Sequence, residues 1–154
     1  MSRSLNKVML IGNVGNEPEI KHTPAGIPVS TFRLATSESR KDKDGNPIEH
    51  TDWHTIVAWR GLADVVQRLV QRGSRIFIEG KIQTRTFDDK TGTKRKVVEI
   101  VAETILLLDT KKAKSMNGAE TATRYTLNED DHVEVFDDHV IIDEDYKIDD
   151  EIPF

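Results

Sequence analysis

The chain contains no cysteine, which excludes disulfide frameworks, Cys-zinc sites, iron–sulfur clusters and thiol nucleophiles together and fits a reducing compartment. It has few aromatics, 6% of residues, and no long apolar run: no stretch approaches the roughly eighteen apolar residues of a membrane span. The N-terminal MSRSLNKVMLIGNV holds a short apolar run without a small-residue cleavage pattern. These absences predict a soluble cytoplasmic protein with no membrane contact. Catalytic signatures are missing too. No glycine-rich nucleotide loop and no Ser-His-Asp order occurs, and His50 and His54 stand four apart without the Glu and helical context of an HExxH zinc site. No cofactor and no metal is expected.

What is present is charge, 32% of residues, in a chain of 154 with a mean hydropathy of -0.51. That length suits one domain plus a tail, and that polarity predicts that part of the chain does not pack. The net charge of -5 argues against a phosphate-rich partner only if it is spread evenly, and it is not. Met1 to Lys112 holds 19 Lys and Arg against 14 Asp and Glu, about +5, whereas Ala113 to Phe154 holds 3 against 13, about -10. The asymmetry predicts a binding domain over residues 1–110, an acidic and largely disordered linker over 111–148, and a terminal tip over 149–154.

Val8 to Ile11, closed by Gly12-Asn13 and Gly15-Asn16, reads as a strand. Ile27 to Ser37 reads as a second, Arg40 to Glu49 as a long hairpin loop, and Thr51 to Trp59 as a third strand. Leu62, Val65, Val66 and Leu69 follow at i, i+3, i+4, i+7, the spacing of one helical face, with Gly73 where a helix C-cap is expected. Ile76 to Phe87 alternates with period 2, Asp88 to Gly92 turns, and Lys94 to Leu108 supplies a fifth strand. Five strands with one helix between the third and fourth is the element order of an OB-fold, an all-β Greek-key barrel.

Successive strand residues face opposite sides, so Trp53, Thr55, Val57 and Trp59 share one face. Parity does not decide whether that face is core or surface. The same rule groups Lys81, Gln83, Arg85 and Phe87 opposite Ile76, Ile78 and Ile82, which are assigned to the core together with Phe32 and Phe77. A Phe among cations suits base stacking with Lys and Arg following phosphates. Arg33 and the cations Lys94, Arg95 and Lys96, taken residue by residue, read more readily as a solvated face than as a binding groove.

Leu5 to Gly15 (LNKVMLIGNVG), Leu34 to Ser39 (LATSES), Thr51 to Trp59 (TDWHTIVAW), Gly73 to Gly80 (GSRIFIEG), Thr84 to Gly92 (TRTFDDKTG) and the ending Asp149 to Phe154 (DDEIPF) closely resemble the bacterial single-stranded DNA-binding protein family. The resemblance implies a homotetrameric OB-fold that wraps single-stranded DNA without sequence preference in replication, recombination and repair at the nucleoid. It implies Trp53, Trp59 and Phe87 as stacking platforms and His54 in subunit contact; Arg33, Lys81, Arg85, Lys94 and Arg95, read from parity and charge, are the candidate phosphate contacts beside them. Two departures stand out. Arg40 replaces an aromatic common in relatives, although a guanidinium can itself stack on a base. Asn128 to Lys147 mixes acids with Val133, Val135, Phe136, Val140, Ile141 and Ile142 where relatives carry Gly-, Pro- or Gln-rich chain.

In that family the tip docks onto replication, repair and recombination proteins. Here Ile152, Pro153 and Phe154 form an apolar knob with a carboxylate, and Asp149, Asp150 and Glu151 offer charge to a basic rim. Two rival readings remain. A metal-dependent nuclease would need carboxylates such as Asp88 and Asp89, or Glu99 and Glu103, around an ion, but no base accompanies them. A protein-interaction OB-fold without nucleic-acid binding differs in one observable, the exposure of Trp53 and Trp59.

Overall fold

The computed structural model describes residues 3–109, 123–127 and 133–137. Its strands are β1 (Val8–Val14), β2 (Glu19–His22), β3 (Pro28–Lys41), β4 (Pro47–Trp59), β5 (Arg75–Asp88), β6 (Lys94–Leu107), β7 (Thr123–Leu127) and β8 (Val133–Asp137), with one helix, α1 (Gly61–Leu69), between β4 and β5. Antiparallel pairs join β1 to β3 and β5, β3 to β4, and β5 to β6; a short parallel contact, Ile56↔Ile100 and Val57↔Val101, joins β4 to β6. That last pair closes a five-strand barrel, the OB architecture expected from the element order. Among the described residues no helix is long and apolar enough to cross a membrane.

The barrel closes around Phe32, Leu34, Ile56, Ile76, Ile78, Ile100 and Ile105, all buried. Each such side chain contributes about 1.5–3 kcal/mol by leaving water. From α1, Leu62 and Val66 join this cluster, as does Val70 just beyond it, so the predicted apolar helical face does cover barrel core. The helix ends at Val70, whose backbone is extended. Gly73 is therefore not its C-cap. With φ +87 it serves the turn that follows, where Ser74 N–H donates to Gln71 O and Gly73 N–H to Val14 O.

Half of the loop expected over Arg40 to Glu49 is ribbon: Arg40 and Lys41 belong to β3, and Pro47 to Glu49 belong to β4. β3 and β4 pair without interruption from Val29↔Trp59 to Lys41↔Pro47. The turn needs so few residues because Asp42 Oδ1 accepts the backbone N–H groups of Asn46 at 2.8 Å and Asp44 at 2.9 Å, and Gly45 takes φ +83. Those bonds, that from the Asn46 N–H foremost, hold the Asp42 carboxyl below its usual range. β2 adds a four-residue edge to β3 that its polar sequence, Glu-Ile-Lys-His, conceals.

In the β5–β6 ladder, Glu79 pairs with Thr104 but Gly80 with Ala102, so Glu103 is an extra residue in a bulge. It resets the alternation: Ile100 and Ala102 are buried before it, Ile105 after it. The strands approach so closely there that a Cβ on Gly80 would run into the Val101 carbonyl oxygen. Two core assignments fail. Ile82 keeps the parity of Ile76 and Ile78 but is exposed: β5 has by then run past β1, whose pairing with it ends at Val8↔Gly80; Phe77 is half-buried on the outer side, opposite Ile11 and Leu106.

β7 and β8 fall inside the segment expected to be a largely disordered acidic linker. The hairpin pairs with β6 through Thr104↔Thr126, Ile105↔Tyr125 and Leu106↔Arg124. Tyr125 packs on the core beside Val8, Leu10 and Leu107, and the hydroxyls of Thr104 and Thr126 stand 3.2 Å apart. An open β6 edge offers backbone partners to any nearby extended segment with a suitable apolar residue. The other residues of 111–148, and the tip Asp149, Asp150, Glu151, Ile152, Pro153 and Phe154, lie outside the described residues.

Candidate nucleic-acid interface

Cross-strand neighbours project to the same side of a sheet, so the ladders decide which side chains meet. Val57 pairs with Thr31 and with Val101, and Val101 pairs with Lys81. Stepping by two along each strand puts Arg33, Trp53, Trp59, Lys81, Arg85, Phe87 and Arg95 on one outer face. The three rings are open to solvent: Trp53 is 52% exposed, Phe87 42% and Trp59 37%. Most rings of this size are largely buried, so the core reading of the tryptophans is set aside.

Trp53 stands on a local platform. Gly15 lies directly against its indole, so that a Cβ there would collide with the ring. Gly15 N–H donates to Arg33 O at 2.8 Å, Arg33 N–H donates to Asn16 Oδ1 at 2.8 Å, and the Arg33 guanidinium lies 5.9 Å from the Trp53 ring centroid. At the other end of the face the Arg85 guanidinium lies 5.6 Å from the centroid of Phe87. Gly15 and Asn16 read in the sequence only as turn residues; their part in seating Trp53 depends on the β1–β3 pairing.

The remaining candidates are not on this face. Arg40 is seven positions from Arg33 in an unbroken ladder and so projects from the other side of the β3–β4 ribbon, across from Ile48. Lys94 likewise has the opposite parity to Arg95. His54 points with Ile56 and is half-buried, its Nε2 hydrogen-bonded to the Thr36 hydroxyl at 2.8 Å.

Three of the carboxylates considered for metal chemistry, Asp89, Glu99 and Glu103, face cations of the chain. Asp89 Oδ2 accepts from Arg95 Nε at 3.0 Å, while its Oδ1 accepts the Thr91 hydroxyl and the N–H groups of Thr91 and Thr93. The Thr91 hydroxyl and the Arg95 guanidinium, with those amides, hold its carboxyl at about 2. Glu99 binds Arg85, and Glu103 Oε1 is 3.9 Å from Lys81 Nζ. Among the described residues no group of three or more His, Asp or Glu is placed to hold a metal ion.

An OB barrel with open aromatic rings interleaved with Lys and Arg on one outer face has the form of a single-strand nucleic-acid binder. Residues 5–108 match the single-strand binding protein family, and the chain belongs to that family. Membership makes it a binding protein rather than an enzyme. It is similar to single-stranded DNA-binding protein 1 of Chlorobaculum tepidum, with 46% identity over 129 residues that cover 83% of this chain and 78% of that one. Single-stranded DNA-binding protein 1 of Xylella fastidiosa is 40% identical over 131 residues, 84% of this chain and 96% of the relative. Among solved structures, the Plasmodium falciparum SSB complex with ssDNA superposes with a TM-score of 0.64 at 34% identity, covering 71% of this chain and 99% of that one.

Proposed function

We propose that this protein binds and protects single-stranded DNA without sequence preference during replication, recombination and repair. The observation that carries the reading is the set of three exposed rings, Trp53, Trp59 and Phe87, on one face with Arg33, Lys81, Arg85 and Arg95. Bases of any identity stack on such rings at about 1–3 kcal/mol each while cations follow the backbone. Arg40 and Lys94, on the reverse sides of their ribbons, contact DNA only where the strand wraps around the ribbon edges. The relatives' names and the DNA-bound neighbour support the same ligand.

The working form is a homotetramer. On the outer side of β1, Met9 and Ile11 are exposed and continuous with half-buried Phe77 of β5, an apolar patch suited to a second copy. His54 contributes a subunit contact. The protein acts in the cytoplasm at the nucleoid. Residues 1–110 form the DNA-binding domain, 111–148 the acidic linker, and the tip Asp149 to Phe154 recruits replication, repair and recombination proteins.

The test is competition of labelled oligo-dT against duplex of equal length, for the full chain and for a chain lacking residues 149–154. Preference for the single strand in both, with equal or tighter binding after truncation and loss of enzyme recruitment, supports the reading. Equal binding of duplex, or no binding, overturns it.

A further inference from the structure

The outer β5–β6 face carries fewer free cations than its sequence suggests. Arg85 donates from Nε at 3.1 Å and from Nη2 at 2.9 Å to a single oxygen, Oε1 of Glu99. In the ladder Arg85 stands opposite Val97 and Glu99 opposite Gln83, so the pair crosses the hairpin diagonally. The Glu99 side chain is 11% exposed and that of Arg85 54%. The carboxylate thus lies beneath the guanidinium, which is the layer a ligand meets. The same guanidinium borders the Phe87 ring, placing Glu99 under the junction between a stacking platform and its cation.

We propose that Glu99 is a built-in competitor of phosphate for Arg85, so that nucleic-acid binding at this face exchanges a carboxylate for a phosphate and is weaker and less salt-dependent than the cations alone would make it. The inference rests on the single-strand-binding reading of the same face. Its basis is charge balance. A phosphate neutralised by a free cation releases its condensed counterion, and that release sets the salt dependence of binding. When the cation comes from an internal pair, the carboxylate left behind takes up a cation of its own, and the two terms cancel. Were Arg85 to bridge both groups through its remaining N–H donors, Glu99 would still repel the phosphate. Both geometries give the same sign. The Arg85 proton is bound more tightly than usual through its hydrogen bond to Glu99, in keeping with a pair fully formed before any ligand arrives. Asp89 and Glu103 stand in similar relation to Arg95 and Lys81, but Asp89 also ties the β5–β6 turn and Glu103 lies at the limit of contact. Glu99 is the clean probe.

The experiment compares full-length wild type with Glu99→Gln, which keeps the shape and one acceptor oxygen. Binding of an oligo-dT of about 8 nucleotides, within the span of one OB-fold, is followed across a sodium chloride series. The expected result is severalfold tighter binding at low salt and a log–log salt slope steeper by about 0.7, the increment for one more phosphate on a single strand. In an Arg85→Gln background, where no cation is left for the carboxylate to withhold, the same substitution should no longer steepen the salt slope. A Glu99→Gln chain with unchanged or weaker affinity and a parallel salt line overturns the proposal and leaves Glu99 a structural partner. Should that variant unfold, Arg85→Gln in the wild type decides: a slope loss clearly smaller than that of Arg33→Gln supports exchange, and an equal loss overturns it. Failure of wild type to bind oligo-dT would instead remove the single-strand reading itself, a different outcome from wild type that binds with an indifferent Glu99.

Discussion

Trp53 rests its indole against Gly15, and no side chain larger than hydrogen fits between them. This contact joins the end of β1 to the most exposed ring of the candidate interface, and it makes a backbone position outside that ring answerable for its orientation.

Gly15→Ala should therefore act on binding through Trp53. The added methyl must push the indole off its seat, with an overpacking strain of about 1–3 kcal/mol and a loss of the stacking that ring supplies. Oligo-dT affinity should fall toward that of Trp53→Ala, with a shifted tryptophan emission maximum in the free protein. Unchanged affinity and emission would mean that the ring is not held there.

Rings and cations should separate by salt. Trp53→Ala and Phe87→Ala should each weaken oligo-dT binding by about 1–3 kcal/mol while leaving the salt slope in place. Arg33→Gln should flatten that slope by about 0.7. Titrations at several sodium chloride concentrations distinguish the two classes, and a ring substitution that flattens the slope would contradict the assignment.

Asp89 gives a pH signature. Its carboxyl is held near 2 against an ordinary 3.8, so the folded state favours the ionised form. That contribution is complete above about pH 4 and is lost as the pH falls through about 2. Asp89→Asn should lower the thermal midpoint at pH 7, and the gap to wild type should close between about pH 4 and pH 2. A gap of constant size across that range would show that the turn does not depend on the charge.

The apolar patch on β1 predicts that Ile11→Glu reduces the native mass measured by sedimentation from four chains toward fewer, with the barrel still folded by circular dichroism. A wild type that sediments as a single chain at micromolar concentration would contradict the tetramer.

Some of this was legible in residue order and some was not. Trp53 and Trp59 could be placed together by parity because β4 runs without a bulge through both. The same rule misplaced Ile82 and Phe77, since burial depends on where a neighbouring strand ends and on which side it lies. Arg40 and Lys94 joined the candidate list on local charge and motif position, yet an unbroken register turns both to the reverse of their ribbons. β2 has no apolar alternation to announce it and exists because β3 offers it an edge. The Arg85–Glu99 diagonal was hidden for a related reason: it needs the exact register of β5 on β6, which the bulge at Gly80 sets.

The most direct test of the central claim is titration of the full chain with oligo-dT of several lengths while following tryptophan emission at low and high salt. Strong quenching with a length-dependent stoichiometry is predicted, with Trp53→Phe and Trp59→Phe each removing part of the signal. Unquenched emission, together with no binding by sedimentation, would contradict the account and leave the exposed tryptophans to a protein partner.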